Sequence, residues 1–305
     1  MTISIIANVE GDTFNAAVPK SITPEVMERR GRACYRAAMH TSRSIGDHLR
    51  AWRQRRRMSQ LDLASEAAIS TRHLSFVESG RSQPSRDMVL HLAERLEVPL
   101  RDRNVLLVSA GFAPVFPERG LEDPQLDVAR RAIDLVLKGH EPYPALAVDR
   151  HWHLVTANSA VERLLAGAAP SLLRAPINVL RLSLHPDGLA PRIANLPEWR
   201  QHLIERLRRQ VDVSADPVLA ALLEELRGYP CPQRPGRPQA PSTGDFGGVV
   251  VPFRLLSEAG LLSFFSTTTV FGTPIDITLS ELALEAFFPA DAATTERLGR
   301  LAGKA

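Results

Sequence analysis

The chain has 305 residues, of which 44% are hydrophobic and 23% are charged. This composition is typical of a globular protein, and the length predicts two domains. The two cysteines, Cys34 and Cys231, lie far apart in the sequence, which argues against a disulfide framework or a zinc site and indicates a reducing compartment. No apolar run approaches the roughly 20 residues that a membrane-spanning helix needs, and the first eight residues lack the basic start of a signal peptide. We therefore expect a cytoplasmic protein with no membrane partner.

The basic residues are unevenly distributed, although the formal net charge of the whole chain is only +3. Between Arg43 and Gly111 there are 12 arginines, no lysine and 8 acidic residues. The rest of the chain carries 25 basic and 26 acidic residues, so it is nearly balanced. A local positive excess of this kind predicts a phosphate-facing surface in the segment that contains it.

The sequence divides into three segments. Residues 1–40 show no sustained periodicity and predict a poorly ordered extension, with one short helix around 24–38. Residues 41–113 contain short helical patterns separated by turn signals and predict a first domain that ends in the proline-rich passage 113–117. Residues 114–305 predict a second domain. Asp123 and Pro124 are expected to open its first helix, and the proline-rich stretch 230–242 is expected to be an exposed loop.

Five short helices are predicted in the first domain. Apolar residues at helical spacing mark the first helix, and serine N-caps mark the second, third and fourth, namely Ser59, Ser70 and Ser85. Gly80 is expected to end the third helix in the left-handed conformation. A tight turn at Ala68 joins the second helix to the third. Two short helices joined in this way and braced by three others let the third helix enter the major groove of DNA.

This domain resembles the XRE family of phage-repressor-like helix-turn-helix domains over about 65 residues. The resemblance rests on the spacing of five residues: Gln60, Ser70, Glu78, Gly80 and Pro84. It implies an all-α, five-helix, lambda-repressor-like fold that binds double-stranded DNA as a homodimer. A protein-binding module remains the alternative for such a domain.

The resemblance also implies roles for single residues. Gln60 is expected to contact a phosphate or a base. The residues expected to face the groove are Ser70, Thr71, Arg72 and His73, and those expected to hold phosphates are Arg81 and Ser82. Arg53 and Glu78 are expected to form a structural ion pair. Arg55, Arg56 and Arg57 are interpreted as a solvated helix face. Phe76 is interpreted as either a core residue or a contact in the DNA groove.

The second domain begins with two predicted strands around a turn at Asp149 and Arg150, followed by a helix capped by Asn158 and Ser159. This order resembles the opening of a PAS domain. Helices are expected around 198–209 and 217–227, and a second hairpin is expected from 247–256 and 261–271. The predicted fold class is therefore multidomain α+β, in which the second domain has an antiparallel sheet with helices packed over one face.

From about residue 100 onward, the chain resembles XRE-type regulators that carry an MmyB-like ligand-binding domain. The segments that carry the resemblance are 142–144, Asn158, 178–181, 184–188, Trp199, 271–274 and 287–291. The resemblance implies a PAS-like fold that senses a small molecule and has no established enzymatic activity. The helix at 126–139 is the predicted connection that transmits a ligand signal.

A ligand cavity is predicted between the sheet and the helices. Its expected apolar lining is Trp152, Leu180, Trp199, Leu203, Phe253 and Phe264, and Arg181 and His185 are expected to bind an acidic head group. The hypothesis is an apolar or fatty-acid-like ligand. Two alternatives remain: these side chains fill the core, or the domain binds a protein partner instead of a metabolite.

Enzymatic and metal chemistry are the weakest interpretations. His151 and His153 flank Trp152 in the first hairpin, where no carboxylate pair or cysteine is expected nearby, so they are interpreted as exposed hairpin residues. His185 and Asp187 stand two residues apart without a nucleophile motif and predict a turn. The two glycines at 247–248 are interpreted as the start of a strand. We therefore expect no catalytic site, no metal and no cofactor.

Overall fold

The computed structural model describes residues 43–232, 251–272, 274 and 276–303. Described residues up to Phe116 form one compact unit, and those from Pro117 onward form another. The predicted extension at 1–40, most of the proline-rich stretch and the predicted strand start at 247–248 lie outside the described residues.

The first unit is all-α, as predicted. Its helices are α1 (Ile45–Arg55), α2 (Gln60–Glu66), α3 (Thr71–Glu78), α4 (Arg86–Arg95) and α5 (Leu100–Ser109). The serine before each of the first four helices accepts a backbone N–H from the first turn of that helix, which offsets the missing intrahelical acceptors there. Gly80 has a φ of +73° and follows α3, so the predicted left-handed end of this helix is confirmed.

The core of the first unit is a single apolar cluster drawn from all of its helices. Its fully buried leucines are Leu49, Leu63, Leu74, Leu92, Leu96, Leu106 and Leu107. Gly46 allows α1 to approach the end of α3 closely, because a Cβ at this position would lie only 2.5 Å from the carbonyl oxygen of Glu78. This close crossing helps to fix the position of α3 on the other helices.

The second unit is an α+β domain built on a five-stranded antiparallel sheet. Its strands are β1 (Ala145–Val148), β2 (Leu154–Ala157), β3 (Phe253–Ser257), β4 (Gly260–Val270) and β5 (Ala283–Pro289), in the order β2-β1-β5-β4-β3. Its helices are α6 (Asp127–Gly139), α7 (Ser159–Leu164), α8 (Val179–Leu184), α9 (Leu196–Ser214), α10 (Pro217–Gly228), α11 (Ile277–Ser280) and α12 (Ala292–Ala302). Short 3-10 turns also occur at Pro124–Leu126, Pro170–Leu173 and Ala190–Arg192.

Helices pack against both faces of this sheet, so the expectation of a single covered face is wrong. On one face, Leu203 and Leu207 of α9 join Phe264 of β4 in the largest apolar cluster. On the other face, Leu137 of α6 packs with Ala147 of β1. Residues that alternate along a strand point to opposite faces, and β1 is therefore buried from both sides.

Asn158 occupies the N-cap position of α7, as predicted, but its side chain makes no capping hydrogen bond to the helix and is buried instead. The Oδ1 atom accepts the N–H of Ala145 at 3.1 Å, and Nδ2 donates to the carbonyl oxygens of Leu137 and Tyr143. Asn158 thus ties the end of α6 to the start of β1.

Among the described residues, no helix is both long enough and apolar enough to cross a bilayer.

Candidate DNA-reading helix and ligand cavity

The predicted groove-facing residues occupy the start of α3. Ser70 is exposed and accepts the backbone N–H of His73 through its hydroxyl at 3.1 Å. Arg72 is exposed, and Thr71 and His73 are partly exposed. The beginning of α3 therefore offers polar side chains to solvent, while Leu74 and Val77 hold the opposite face in the core.

Phe76 lies at the surface between two arginines and does not belong to the buried core. The guanidinium carbons of Arg72 and Arg81 are 5.3 and 6.0 Å from the centre of the Phe76 ring. Its carbonyl oxygen accepts the backbone N–H groups of Arg81 and Ser82 at 2.8 and 3.1 Å. The residues expected to hold phosphates are thus placed beside the residues expected to read bases.

The predicted ion pair between Arg53 and Glu78 is confirmed, and it includes a third residue. Two hydrogen bonds, of 2.7 and 2.9 Å, join the guanidinium to the carboxylate. Gln60 was expected to contact DNA, but its side-chain amide donates to Glu78 at 2.8 Å. The Gln60 amide, which was expected to bind DNA, therefore donates a hydrogen bond within the protein.

Glu78 is held in its charged form. Burial alone would raise the pKa of its carboxyl, but hydrogen bonds from Arg53 and Gln60, together with the charges of Arg53 and Arg50, lower the pKa below its ordinary value. Glu78 therefore remains an anion at neutral pH and can anchor the C-terminal end of α3.

The interpretation of the arginine run as a solvated face is wrong for two of its members. The guanidinium carbon of Arg55 lies 4.6 Å from the centre of the Trp52 ring. Arg56 donates at 2.8 Å to the carbonyl oxygens of Leu96 and Glu97, which end α4. The Arg56 contacts stabilise the domain, because a cation near the C-terminus of a helix interacts favourably with its unpaired carbonyls.

An apolar cavity of about 100 Å³ lies inside the second unit and is partly open to solvent. Five of the predicted ligand residues line it: Trp152, Leu180, Trp199, Leu203 and Phe253. On the same measure one water molecule needs about 10–15 Å³, so the cavity has room for a small organic group. Its wall is largely aliphatic and aromatic, which is typical of small-molecule sites.

The other three predicted ligand residues lie outside the cavity lining. Phe264 is fully buried in the core. Arg181 is paired with Glu225 through hydrogen bonds of 2.6 and 2.7 Å. The ring of His185 lies 5.1 Å from the ring of Tyr229, and its Nδ1 accepts the backbone N–H of Asp187. Arg181 and His185 therefore make their contacts with residues outside the cavity lining.

The charged side chains of the cavity come instead from Arg206 and Glu285, and the hydroxyl residues Ser183 and Ser266 also line it. The two form hydrogen bonds of 2.5 and 3.1 Å, and Arg206 also donates to Thr268 at 2.8 Å. The Arg206 guanidinium carbon lies 4.6 Å from the centre of the Trp152 ring. Helical spacing could have indicated Arg206, since it stands three positions after Leu203 and seven after Trp199, on the buried face of α9.

The turn between β1 and β2 brings two histidines and two carboxylates together, so the interpretation of these histidines as exposed residues without nearby carboxylates is wrong. His151 Nε2 lies 2.9 Å from Asp216, and His153 Nδ1 lies 3.0 Å from Asp149. The side chains of the two histidines are only 15% and 30% exposed. Trp152, between them, has a φ of +67°, a strained conformation for a bulky residue.

Two family matches define the chain as a transcription regulator with a helix-turn-helix unit followed by a ligand-binding domain. The family described as a helix-turn-helix domain matches residues 44–106. The family described as the MmyB-like transcription regulator ligand binding domain matches residues 129–301, more than half of the chain. The chain therefore belongs to the MmyB-like transcription regulators.

A curated relative supports the same class. An HTH-type transcriptional regulatory protein, as it is named, from Methanoculleus marisnigri (strain ATCC 35101 / DSM 1498 / JR1) is 34% identical over 129 residues. The match spans 41% of this chain and 41% of that protein. Among solved structures, an RNA-binding light-oxygen-voltage receptor matches 92% of this chain and 68% of its own with 14% identity, but its TM-score of 0.24 is too low to indicate a shared fold.

Proposed function

We propose that this regulator binds its DNA site as a homodimer through α3 and that an apolar, fatty-acid-like molecule in the cavity of the second unit changes its affinity for DNA. The single observation that carries the ligand proposal is the cavity, which combines an apolar wall with one charged pair. An amphiphile has the matching chemistry, because its hydrocarbon part can lie on the wall and its head group can reach the pair.

The charged pair restricts the head group. Glu285 is buried and already neutralises Arg206, so a carboxylate that approaches Arg206 also approaches Glu285. A head group that both donates and accepts hydrogen bonds, such as an alcohol or a protonated acid, meets both residues without this repulsion. A fatty acid would bind through Arg206 only by displacing part of the pair.

The DNA proposal rests on the start of α3. Arg72 has an exposed planar guanidinium beside the Phe76 ring and is the residue we expect to read a guanine through two hydrogen bonds. Arg81 follows the helix and is expected to hold a phosphate. In a homodimer, two such helices would read two half-sites about one turn of DNA apart.

A protein partner remains the second candidate for the ligand-binding domain. A partner would need an exposed apolar surface, whereas a metabolite needs an enclosed site. The wall of the cavity is concave, and most of the apolar side chains that form it are buried. This shape favours a metabolite over a protein partner.

The test is native mass spectrometry of purified full-length protein, followed by organic extraction and identification of any released molecule. We expect one organic molecule per chain, and we expect decanol or decanoate to replace it. Leu203→Trp should fill the cavity and prevent binding, while Leu261→Trp, at an exposed position on β4, should bind as the wild type does. A DNA titration with and without the molecule then gives the direction of the response.

Two outcomes would contradict the proposal. A clean mass together with no binding of either probe would argue against a cavity ligand. Binding that survives Leu203→Trp in a folded protein would place the ligand elsewhere.

A further inference from the structure

The cluster at the β1–β2 turn is separate from the residues that line the cavity. One ligand-type atom from each of Asp149, His151 and His153 lies within 4.8 Å of the others. The two imidazole rings are 6.0 Å apart between centroids and are nearly perpendicular. All three residues are partly buried and retain some access to solvent, so an ion from solution can reach them.

The backbone of the turn creates this convergence. The Oδ1 atom of Asp149 accepts the backbone N–H groups of both His151 and His153 at 2.8 Å, while its Oδ2 faces the ring of His153. The left-handed conformation of Trp152 reverses the chain between the two histidines. A register shift follows Ala147 in the strand that leads into the turn, and such irregularities commonly redirect side chains at functional sites.

The surrounding charge favours a cation. Asp216 lies 2.9 Å from His151 and adds a second carboxylate beside the group. Arg150 offsets part of this charge, since its guanidinium lies 4.0 Å from Asp216 and 3.6 Å from Glu281. The Asp149 and Asp216 carboxylates therefore lie beside the two histidines, and a divalent ion would add positive charge where these carboxylates gather.

We propose that Asp149, His151 and His153 form a binding site for a divalent first-row transition-metal ion. Two imidazole nitrogens with one carboxylate oxygen suit zinc and its neighbours, whereas calcium and magnesium prefer all-oxygen sites. Atoms bound to one zinc ion at about 2.0–2.2 Å in tetrahedral geometry lie roughly 3.4 Å apart. The three ligand atoms, which lie within 4.8 Å of one another, therefore approach by at most about 1.4 Å when an ion binds.

The position of the site gives it a consequence for the cavity. Trp152 stands between the two histidines, and its indole forms part of the cavity wall. The indole N–H also donates to Gln210 of α9 at 2.8 Å. An ion that joins His151 to His153 would hold the turn, and with it the Trp152 side chain, in the conformation that shapes the cavity.

The experiment measures zinc binding to untagged full-length protein by calorimetry after removal of metals with EDTA, with the visible spectrum of added Co²⁺ as a second measurement. We expect one ion per chain and nitrogen-ligand bands in the Co²⁺ spectrum. His153→Gln should weaken zinc binding at least 10-fold. His185→Gln is the matched control, because His185 lies in the same domain outside the cluster, and its affinity should equal that of the wild type.

His151→Gln provides an independent variant if circular dichroism shows that His153→Gln is not folded, and the same loss is expected of it. The proposal is overturned if the wild type binds no stoichiometric zinc, or if a folded His151 or His153 variant binds zinc as tightly as the wild type does. Loss of zinc binding with retained ligand binding leaves the cavity proposal intact, so the two proposals can fail separately.

Discussion

Arg53 and Glu78 form a two-bonded ion pair that joins α1 to the last residue of α3. The Glu78 side chain is fully buried, and that of Arg53 is 10% exposed. Gln60 at the start of α2 binds the same carboxylate. The carboxylate thus links α1, α2 and α3, and it fixes their positions relative to one another.

We expect Arg53→Met to lower the free energy of unfolding of the first unit by about 3–5 kcal/mol, because it leaves the Glu78 charge buried without its main partner. The measurement is urea denaturation followed by circular dichroism. Arg57→Met is the matched control, since Arg57 is exposed and should change this free energy by less than about 0.5 kcal/mol. Equal effects of the two substitutions would show that the buried pair contributes little.

Acid should remove the contribution of this pair. The pKa of Glu78 in the folded protein is lowered below its ordinary value of 4.5, so the stabilisation is fully present above that value and is lost as the pH falls through the lowered pKa. The free energy of unfolding of the wild type should therefore exceed that of Glu78→Gln at pH 7, and the difference should shrink below about pH 4.5. A difference that is independent of pH would mean that Glu78 does not act through its charge.

The first unit was largely predictable because its signals are local. A serine that caps a helix, and a glycine that ends one, act within a few residues of their own position. The bond between Arg53 and Glu78 connects residues 25 positions apart, yet it too was expected, through the spacing shared with the XRE family. The use of Gln60 in the same network was not expected, because a polar residue at the start of a helix can equally face solvent.

The second unit was less predictable because its decisive contacts are distant in sequence. Strand β5 lies between β1 and β4, yet it comes from the end of the chain, and its segment was recognised only as part of a family motif. Arg206 meets Glu285 across 79 residues, and His151 meets Asp216 across 65. No local pattern reports such partners. The polar end of the cavity was therefore assigned to Arg181, which pairs with Glu225 instead.

Arg72 and Arg81 should differ in what they contribute to DNA binding, although both contact the ring of Phe76. We expect Arg72→Ala to cost about 1–3 kcal/mol on the preferred site and to relax the preference at one base position. Arg81→Ala should weaken binding to all sequences about equally and should reduce the salt dependence by about one phosphate contact. Titration of each variant against the preferred site and against single-base variants of it separates these outcomes. Uniform weakening by Arg72→Ala would mean that Arg72 holds a phosphate.

Tyr229 should ionise at an unusually high pH. Burial, together with the hydrogen bond and negative charge of Glu225, raises the pKa of the Tyr229 hydroxyl to about 12. Its protonated form stabilises the fold fully below the ordinary value of 10.0, and this contribution is lost as the pH rises through about 12. Ultraviolet absorbance should show one tyrosine that ionises near pH 12, and Tyr229→Phe should remove this transition. Glu225→Gln should move it to lower pH, and an unchanged curve in either variant would contradict the assignment.

The pairing of Arg206 with Glu285 should set the preference of the cavity for head groups. Glu285→Gln removes the buried charge that neutralises Arg206, so this end of the cavity becomes positive. The affinity for decanoate relative to that for decanol should then rise, on the order of 10-fold, which corresponds to about 1.4 kcal/mol. The ratio of the two dissociation constants is the quantity to measure, because a general loss of stability affects both probes alike. Glu281→Gln is the matched control, since Glu281 pairs with Arg150 outside the cavity lining. A ratio that stays the same in Glu285→Gln would show that the head group does not lie at Arg206.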